Sequence, residues 1–254
     1  MFRHEGLERS EGHNQRLAAY LAGVAGFVNS AGFVLIGSFT SHVTGNVGRF
    51  ADDLALGHAT ALYAALMVIA YFAGAFFASM AIESNVIRHR PTTYGGLLMG
   101  EAGLLGAFIA MSYLFDDNTP RFQDAQAMLL CFAMGLQNSL VTRLSGAVVR
   151  TTHLTGVVTD LGIESARWFR HWRAQAGERT HLRLVAGSAE GLAPQRPKTL
   201  LLLTIFAAFV VGSAGGAMLA VALGRVALAI PTLALVSGGV FALATGRTLE
   251  TPRR

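Results

Sequence analysis

The sequence TSHVTGNV at Thr40–Val47 recurs as TTHLTGVV at Thr151–Val158 in the second half of the chain. Each copy follows a Gly-x-x-Asn-Ser segment, GFVNS in the first half and GLQNS in the second. The identical positions are Gly26/Gly135, Asn29/Asn138, Ser30/Ser139, Thr40/Thr151, His42/His153, Thr44/Thr155, Gly45/Gly156 and Val47/Val158. Polar and glycine-rich positions are unfavourable in an otherwise apolar chain, so their duplication predicts two related halves that face one another, as in transporters.

The rest of the composition indicates a membrane protein. Hydrophobic residues make up 52% of the 254 residues and charged residues only 14%, against about a quarter charged in a soluble protein. Since a helix of about 20 residues crosses a bilayer, the long uncharged runs predict an all-α integral membrane protein with six transmembrane helices. The third run reaches the length of a crossing only if Glu101 is included, and the fourth reaches it by extending towards Arg143. The runs are Leu17–Gly48, Leu54–Ile82, Ala102–Leu114, Ala125–Thr142, Thr199–Gly224 and Val226–Gly246.

Helices one to three and four to six form the predicted repeat units. Because three is odd, the second unit crosses the membrane in the opposite sense, which gives two inverted three-helix repeats. Both units carry faces of small residues, GAFFA at Gly74–Ala78 and GSAGG at Gly212–Gly216, that suit close packing within a subunit or a homo-oligomer. Pro231 predicts a kink or a helix start. The predicted boundaries are a tail at 1–16, repeats at 17–116 and 124–246, a cytoplasmic loop at 163–198 within the second repeat, and a tail at 247–254.

The placement of arginine and lysine predicts the orientation. With the N-terminus inside, only Arg49, Arg121 and Arg225 of the 20 basic residues fall in external loops. Both termini are therefore predicted to be cytoplasmic. The net charge of +5 is attributed to cytoplasmic loops that face anionic lipid, and no nucleic-acid partner is expected.

The run Leu17–Gly48 is about a dozen residues longer than one crossing requires. The surplus, Ser38–Gly48, is rich in Ser, Thr, Gly and Asn, and lipid cannot satisfy irregular backbone. We therefore predict a broken helix or re-entrant segment, buried in protein or lining a wet cavity. The second copy, Thr151–Asp160, follows Arg143 and Arg150 and is less firmly tied to the membrane.

The repeated motifs supply the candidate binding site. Glycine allows backbone to approach a ligand, and helix N-termini present N–H groups to anions. These properties favour a small polar or anionic solute. The candidate binding residues are Asn29, Ser41, His42, Thr44, Gly45 and Asn46 in the first half, and Asn138, Arg150, Thr152, His153, Thr155 and Gly156 in the second.

Three residues are candidates for proton coupling: Glu101, His42 and His153. An ionisable residue within a span is a functional candidate, although hydrogen bonding to a polar helix face explains Glu101 equally well. Histidine titrates near neutral pH, but each histidine also suits the cap of a helix break. No metal or other cofactor is expected, because the spacing lacks HxxxH or HxxE and the lone Cys131 excludes a cysteine site.

The linked patterns VNSAGF…SHVTGN and GLQNS…RTTHLTGVVTDLG resemble those of the YoaK family over approximately residues 17–246. The resemblance implies a six-helix protein of the bacterial cytoplasmic membrane. It does not supply an activity.

The leading functional hypothesis is a transporter or channel-like carrier of a small polar or anionic solute, with alternating access between the inverted repeats. It predicts that His42 and His153 line one central cavity. A membrane enzyme that uses these histidines with Glu101 is the first alternative, but no nucleophile elbow, HExxH or paired-carboxylate motif supports an enzyme. A scaffold or sensor that acts through the Trp- and Arg-rich segment Trp168–Arg173 is the second.

Overall fold

The computed structural model describes residues 11–87, 92–115, 119–145, 149, 151–175 and 194–250. These residues are helical apart from short connections, and no β-strand occurs among them, which confirms the all-α prediction for this part of the chain. A 3-10 turn at Gly224–Leu228 joins the last two helices. The helices are α1 Glu11–Ile36, α2 Val43–Ala55, α3 Thr60–Ile87, α4 Thr93–Leu114, α5 Pro120–Leu144, α6 Leu154–Gln175, α7 Arg196–Leu223 and α8 Ala229–Glu250.

Five stretches of the described chain are long and apolar enough to cross a membrane. Large apolar side chains are exposed along them, for example Phe72 and Phe76 on α3 and Val211 on α7. Such exposure is unfavourable in water and suits contact with lipid tails. The stretches are Gln15–Ile36, Thr60–Ser84, Thr93–Leu114, Phe122–Leu144 and Arg196–Thr245, the last of which contains both α7 and α8.

The long polar surplus after the first span forms a helix break. Helix α1 ends at Ile36, and Gly37 adopts a left-handed φ of 70° that favours glycine. Helix α2 starts six residues later and buries none of its 13 residues. In the second half, α6 continues through Trp168 to Gln175, so the start of the predicted 163–198 loop is helical, while 176–193 lie outside the described residues. Pro231 lies in the first turn of α8, as expected for a helix start.

Two parallel pairs and two antiparallel pairs of helices organise the bundle. Helix α1 packs chiefly on α7 and α3 chiefly on α5, in both cases in parallel, whereas α4 packs against α8 and α5 in antiparallel fashion. Thus α1, α4 and α7 run in one direction and α3, α5 and α8 in the other. The hydrogen bond from Arg225 to the Ser112 carbonyl places the end of α7 beside the end of α4. The other contacts that fix these directions are Gly23–Gly212 and Phe27–Gly216, Ser79–Ser139 and Glu83–Arg143, Gly95–Leu243 and Met99–Gly239, and Ser112–Gln126 and Phe115–Phe122.

Glycines allow the parallel pairs to approach closely. A Cβ atom at Gly135 would lie 2.0 Å from the carbonyl oxygen of Tyr71, and one at Gly26 would lie 2.2 Å from that of Phe209. Gly26 and Gly135 are matched positions of the duplicated motif. The first helix of each half therefore packs, through the same glycine, on a helix that belongs to the other half. The small-residue faces predicted from the sequence are thus used within one chain.

Candidate functional site

A polar cleft of about 310 Å³ opens between α3 and α5 beside the second copy of the motif. Its walls combine hydroxyl groups, an amide, an imidazole and a guanidinium group inside otherwise apolar helices. The lining residues are Tyr71, Ala75 and Ser79 from α3, Asn138, Ser139, Thr142 and Arg143 from α5, and His153.

Asn138 is the hydrogen-bonding centre of the cleft wall. Its amide nitrogen donates to the hydroxyl groups of Tyr71 and Thr152. Its amide oxygen accepts a hydrogen bond from the hydroxyl of Thr151 at 3.1 Å. Asn138 therefore ties the segment that precedes α6 to two helices. All its polar atoms are engaged, which makes it a rigid part of the wall.

Asn29 makes the corresponding contact in the first half. Its amide oxygen accepts hydrogen bonds from the backbone N–H of Ser41 at 3.1 Å and from the Ser41 hydroxyl at 2.9 Å. Ser41 and Thr152 both directly precede the repeated histidine. In each half, the asparagine of the repeated motif therefore holds the residue that directly precedes the repeated histidine. The sequence repeat is thus also a repeat of structure.

These hydrogen bonds require the chain to fold back along the helix it has just left. Asn29 precedes the end of α1 by seven residues and Asn138 precedes the end of α5 by six, so Ser41 and Thr152 lie about 10 Å back from the helix ends at 1.5 Å per residue. Because α1 and α5 run in opposite directions, the two breaks lie towards opposite ends of the bundle. The described cleft includes His153 but no residue of the first copy, which differs from the single shared cavity predicted for the two histidines.

Each repeated histidine stands at the start of a helix. The carbonyl oxygens of His42 and His153 accept hydrogen bonds at 3.0 Å from the N–H groups of Asn46 and Val157, four residues on. The His42 ring covers Gly45 so closely that a Cβ atom there would lie 2.3 Å from Nδ1. The helix-cap alternative therefore describes the backbone of both histidines, and the His42 ring packs directly on Gly45.

An ion pair borders the cleft. The Arg143 guanidinium group donates to the carboxylate of Glu83, and the two side chains are about half exposed. The hydroxyl groups of Ser79 and Ser139 hydrogen-bond to each other at 2.8 Å one helical turn deeper. An anion that entered the cleft would thus meet Arg143 and compete with Glu83.

The remaining predicted residues are divided between the two ends. Thr44 and Asn46 lie in the first turn of α2, and Thr155 and Gly156 in the first turn of α6, where Thr44, Thr155 and Gly156 are exposed. Arg150 lies outside the described residues. Glu101 is fully buried in α4 and does not line the cleft.

The sequence reasoning missed Tyr71 and Ser79 as parts of the site. Both interrupt an apolar span two turns apart on one face of α3, which was the available signal. Among the described residues, no three His, Cys, Asp or Glu side chains are grouped so as to hold a metal ion.

Helix α6 is anchored to the start of α7 through Glu164. This carboxylate is fully buried, accepts a hydrogen bond from Arg167 at 2.6 Å and another from the N–H of Gln195 at 3.3 Å, and lies 3.7 Å from Lys198 Nζ. Trp168 adds a hydrogen bond to Thr199 at 3.2 Å. Part of the Trp- and Arg-rich segment Trp168–Arg173 therefore joins two helices.

Together these features define an all-helical protein with the long apolar helices of a membrane protein and a polar cleft between two of them. The chain belongs to a family of proteins of unknown function, DUF1275, whose model matches residues 17–242. The match agrees with the resemblance found in the repeated motifs. No significant match is found among curated proteins or among solved structures.

Proposed function

We propose that the protein is a carrier that moves a small polar or anionic solute across the bacterial inner membrane by alternating access. The observation that carries this proposal is the cleft, because seven of its eight lining residues have side chains that can donate or accept hydrogen bonds, beside helices otherwise apolar enough to span a bilayer. Polar groups inside membrane spans are rare, and where they line a cavity they commonly mark the pathway of a ligand or an ion. Transport is proposed in preference to catalysis, since the chain carries no recognisable catalytic motif.

The charge of the cleft supports an anion as the solute. Arg143 is the cation among the described lining residues, and its present partner is Glu83, a residue of the neighbouring helix. Guanidinium groups bind carboxylate and phosphate through paired hydrogen bonds. A small carboxylate or phosphate is therefore the solute class that this site suits best.

The helix directions support six crossings arranged as two inverted repeats. Helix α1 runs opposite to its counterpart α5, and the glycine contacts of the two halves correspond. The 3-10 turn, with Gly224 at a left-handed φ of 60°, divides the last apolar stretch into two crossings. Inverted repeats are a common basis of alternating access. The arginine and lysine bias supports cytoplasmic termini, so the cleft opens towards the cytoplasm.

The proposal is tested by accessibility from each side of the membrane. In a Cys131→Ala background, Ser139→Cys reports on the cleft and Ser30→Cys on the matched position of the first half. Cells and inverted vesicles are treated with a membrane-impermeant maleimide, with and without a panel of small carboxylates and phosphate. We expect Ser139→Cys to react from the cytoplasmic side and an effective anion to change the two rates in opposite directions.

The control pair consists of two arginines with the same side-chain exposure, 47%, each paired with a carboxylate. Arg143→Gln should abolish the anion effect, whereas Arg49→Gln on α2 should preserve it. Rates that no anion alters, or an anion effect that survives Arg143→Gln, would contradict the proposal.

A further inference from the structure

The antiparallel seam between α4 and α5 contains two polar pairs with different bonding. Near the connection of the helices, the Gln126 amide donates to the Ser112 hydroxyl at 2.6 Å, and the Ser112 hydroxyl donates to the carbonyl oxygen of Phe108. Eleven residues further from this pair on both helices lie Glu101 and Gln137. Eleven residues are close to three full helical turns, so Glu101 and Gln137 share the facing sides and the same depth.

This second pair is buried and without hydrogen bonds. Glu101 and Gln137 have no exposed surface. Within the part of the chain that the structure describes, neither carboxylate oxygen of Glu101 has a hydrogen-bond partner, and neither does the amide oxygen or nitrogen of Gln137. Four polar atoms are thus desolvated within one layer of the seam. Burial of even one such atom without a partner costs about 1–3 kcal/mol, and more for a charged group.

The described surroundings of Glu101 supply no cation to balance a negative charge. Tyr20 of α1 lies near enough to interact with the carboxyl group electrostatically, and its hydroxyl donates to the carbonyl of Ala234. On α3, Glu83 is paired with Arg143. The described side chains of α8 include no ionisable group. Arg225 bonds to the Ser112 carbonyl, about 16 Å away along α4.

We propose that Glu101 and Gln137 form an internal proton-binding site. An unpaired carboxylate is unfavourable in this environment, whereas the neutral acid can donate to the Gln137 amide oxygen and accept from its N–H₂ group. A proton is favoured over a metal cation because the described pair offers three oxygen ligands, fewer than the six or more that hard cations prefer.

The location connects this site to the cleft. Gln137 precedes Asn138, so one turn of α5 presents the proton site to α4 and the cleft wall to α3. Proton binding at Glu101 stands independently of the solute. Only its use to drive the solute rests on the proposed carrier function.

The test uses the full-length protein in native membranes and a hydrophobic carbodiimide, which reacts with protonated carboxyl groups. Modification of each carboxyl group is followed by peptide mass spectrometry between pH 5 and pH 9. We expect Glu101 to be modified at low pH, with the yield falling at least fivefold at high pH. Gln137→Leu, which removes the amide that faces the carboxyl group across the seam, should shift the midpoint by about one pH unit.

Glu83 and Glu164 serve as controls in the same digests, because salt bridges satisfy both. A yield at Glu101 that is negligible at every pH, or independent of pH, would overturn the proposal, as would a midpoint unchanged by Gln137→Leu. Protection by sodium but not by choline at constant pH would also overturn it in favour of a metal cation. None of these readouts requires transport, so failure of the carrier hypothesis would be recognised separately.

Discussion

In the first half of the molecule Asn29 accepts two hydrogen bonds from Ser41, whereas in the second half Asn138 bonds to Tyr71, Thr151 and Thr152. The motif around both asparagines is nearly the same, so the difference comes from the helices that pack against it. The position matched to Tyr71 by the glycine contacts is Phe209, which has no hydroxyl.

The residues at the open ends of the two breaks also differ, being polar in the second half and apolar in the first. Thr142 and Arg143 follow Asn138, while the matched residues after Asn29 are Phe33 and Val34. Phe33 stacks on Phe39 with ring centroids 4.2 Å apart. One end of the bundle thus presents a polar recess and the other an aromatic cover. The duplicated motif therefore determines the backbone path of each helix break. The neighbouring residues that differ between the halves determine what each break can bind.

The largest effect is expected at the glycines that the two halves share. Gly135→Ala would place a methyl group 2.0 Å from the Tyr71 carbonyl oxygen and should destabilise the fold by about 3 kcal/mol or more. Gly26→Ala should cost about as much, because the contact is the same. Gly103→Ala, where no atom lies within 4 Å, is the control and should be neutral or slightly stabilising. Thermal unfolding in detergent measures all three, and a tolerated Gly135→Ala would contradict the close approach.

The two helices that follow the breaks, α2 and α6, should differ in how firmly they are attached to the rest of the fold. Glu164→Ala removes the carboxylate that holds α6 to α7, leaves Arg167 and Lys198 with no buried partner there, and should cost about 2–3 kcal/mol. Asp53→Ala on α2 should change stability less, because the partners of Asp53, Arg49 and His58, are about half exposed, although the Asp53 side chain itself is 15% exposed. Hydrogen exchange should show faster opening at the start of α7 in the first variant. Equal protection from hydrogen exchange at the start of α7 in the two variants would contradict the stronger attachment of α6.

The asparagines themselves give a graded comparison. Asn138→Ala loses three side-chain partners and should cost about 2 kcal/mol, whereas Asn29→Ala loses one partner residue and should cost about 1 kcal/mol. For a domain of this size, 1 kcal/mol corresponds to a shift in Tm of about 2–4 °C. The reverse order of the two shifts would show that the first break is the better supported one.

The smallest change makes the second half resemble the first. Tyr71→Phe removes one hydroxyl group from the cleft wall and supplies the side chain found at Phe209. Stability should fall by less than about 1 kcal/mol, while protection of Ser139→Cys by an anion should weaken severalfold. Phe209→Tyr is the reciprocal variant and should leave that protection unchanged. If Tyr71→Phe has no effect on protection, Tyr71 has only a structural role.

The sequence was sufficient to predict the helix breaks but not to predict which helices pack against them. The run Leu17–Gly48 exceeds one crossing, and this alone predicts that the chain must fold back after α1. Which helix then faces Asn138 depends on the packing of α3 against α5, and this is decided by contacts such as Gly135 on Tyr71 that no local pattern encodes. For the same reason Glu101 could be recognised as unusual from the sequence, while its proposed pairing with Gln137 could not.

The exchange of helices between the halves has a consequence for synthesis. Helix α1 emerges from the ribosome long before α7, the helix whose backbone covers Gly26. Until then the face of α1 around Gly26 lacks the helix that it packs against. Assembly must therefore await an almost complete polypeptide, and this interval is when an insertion factor would protect the chain best.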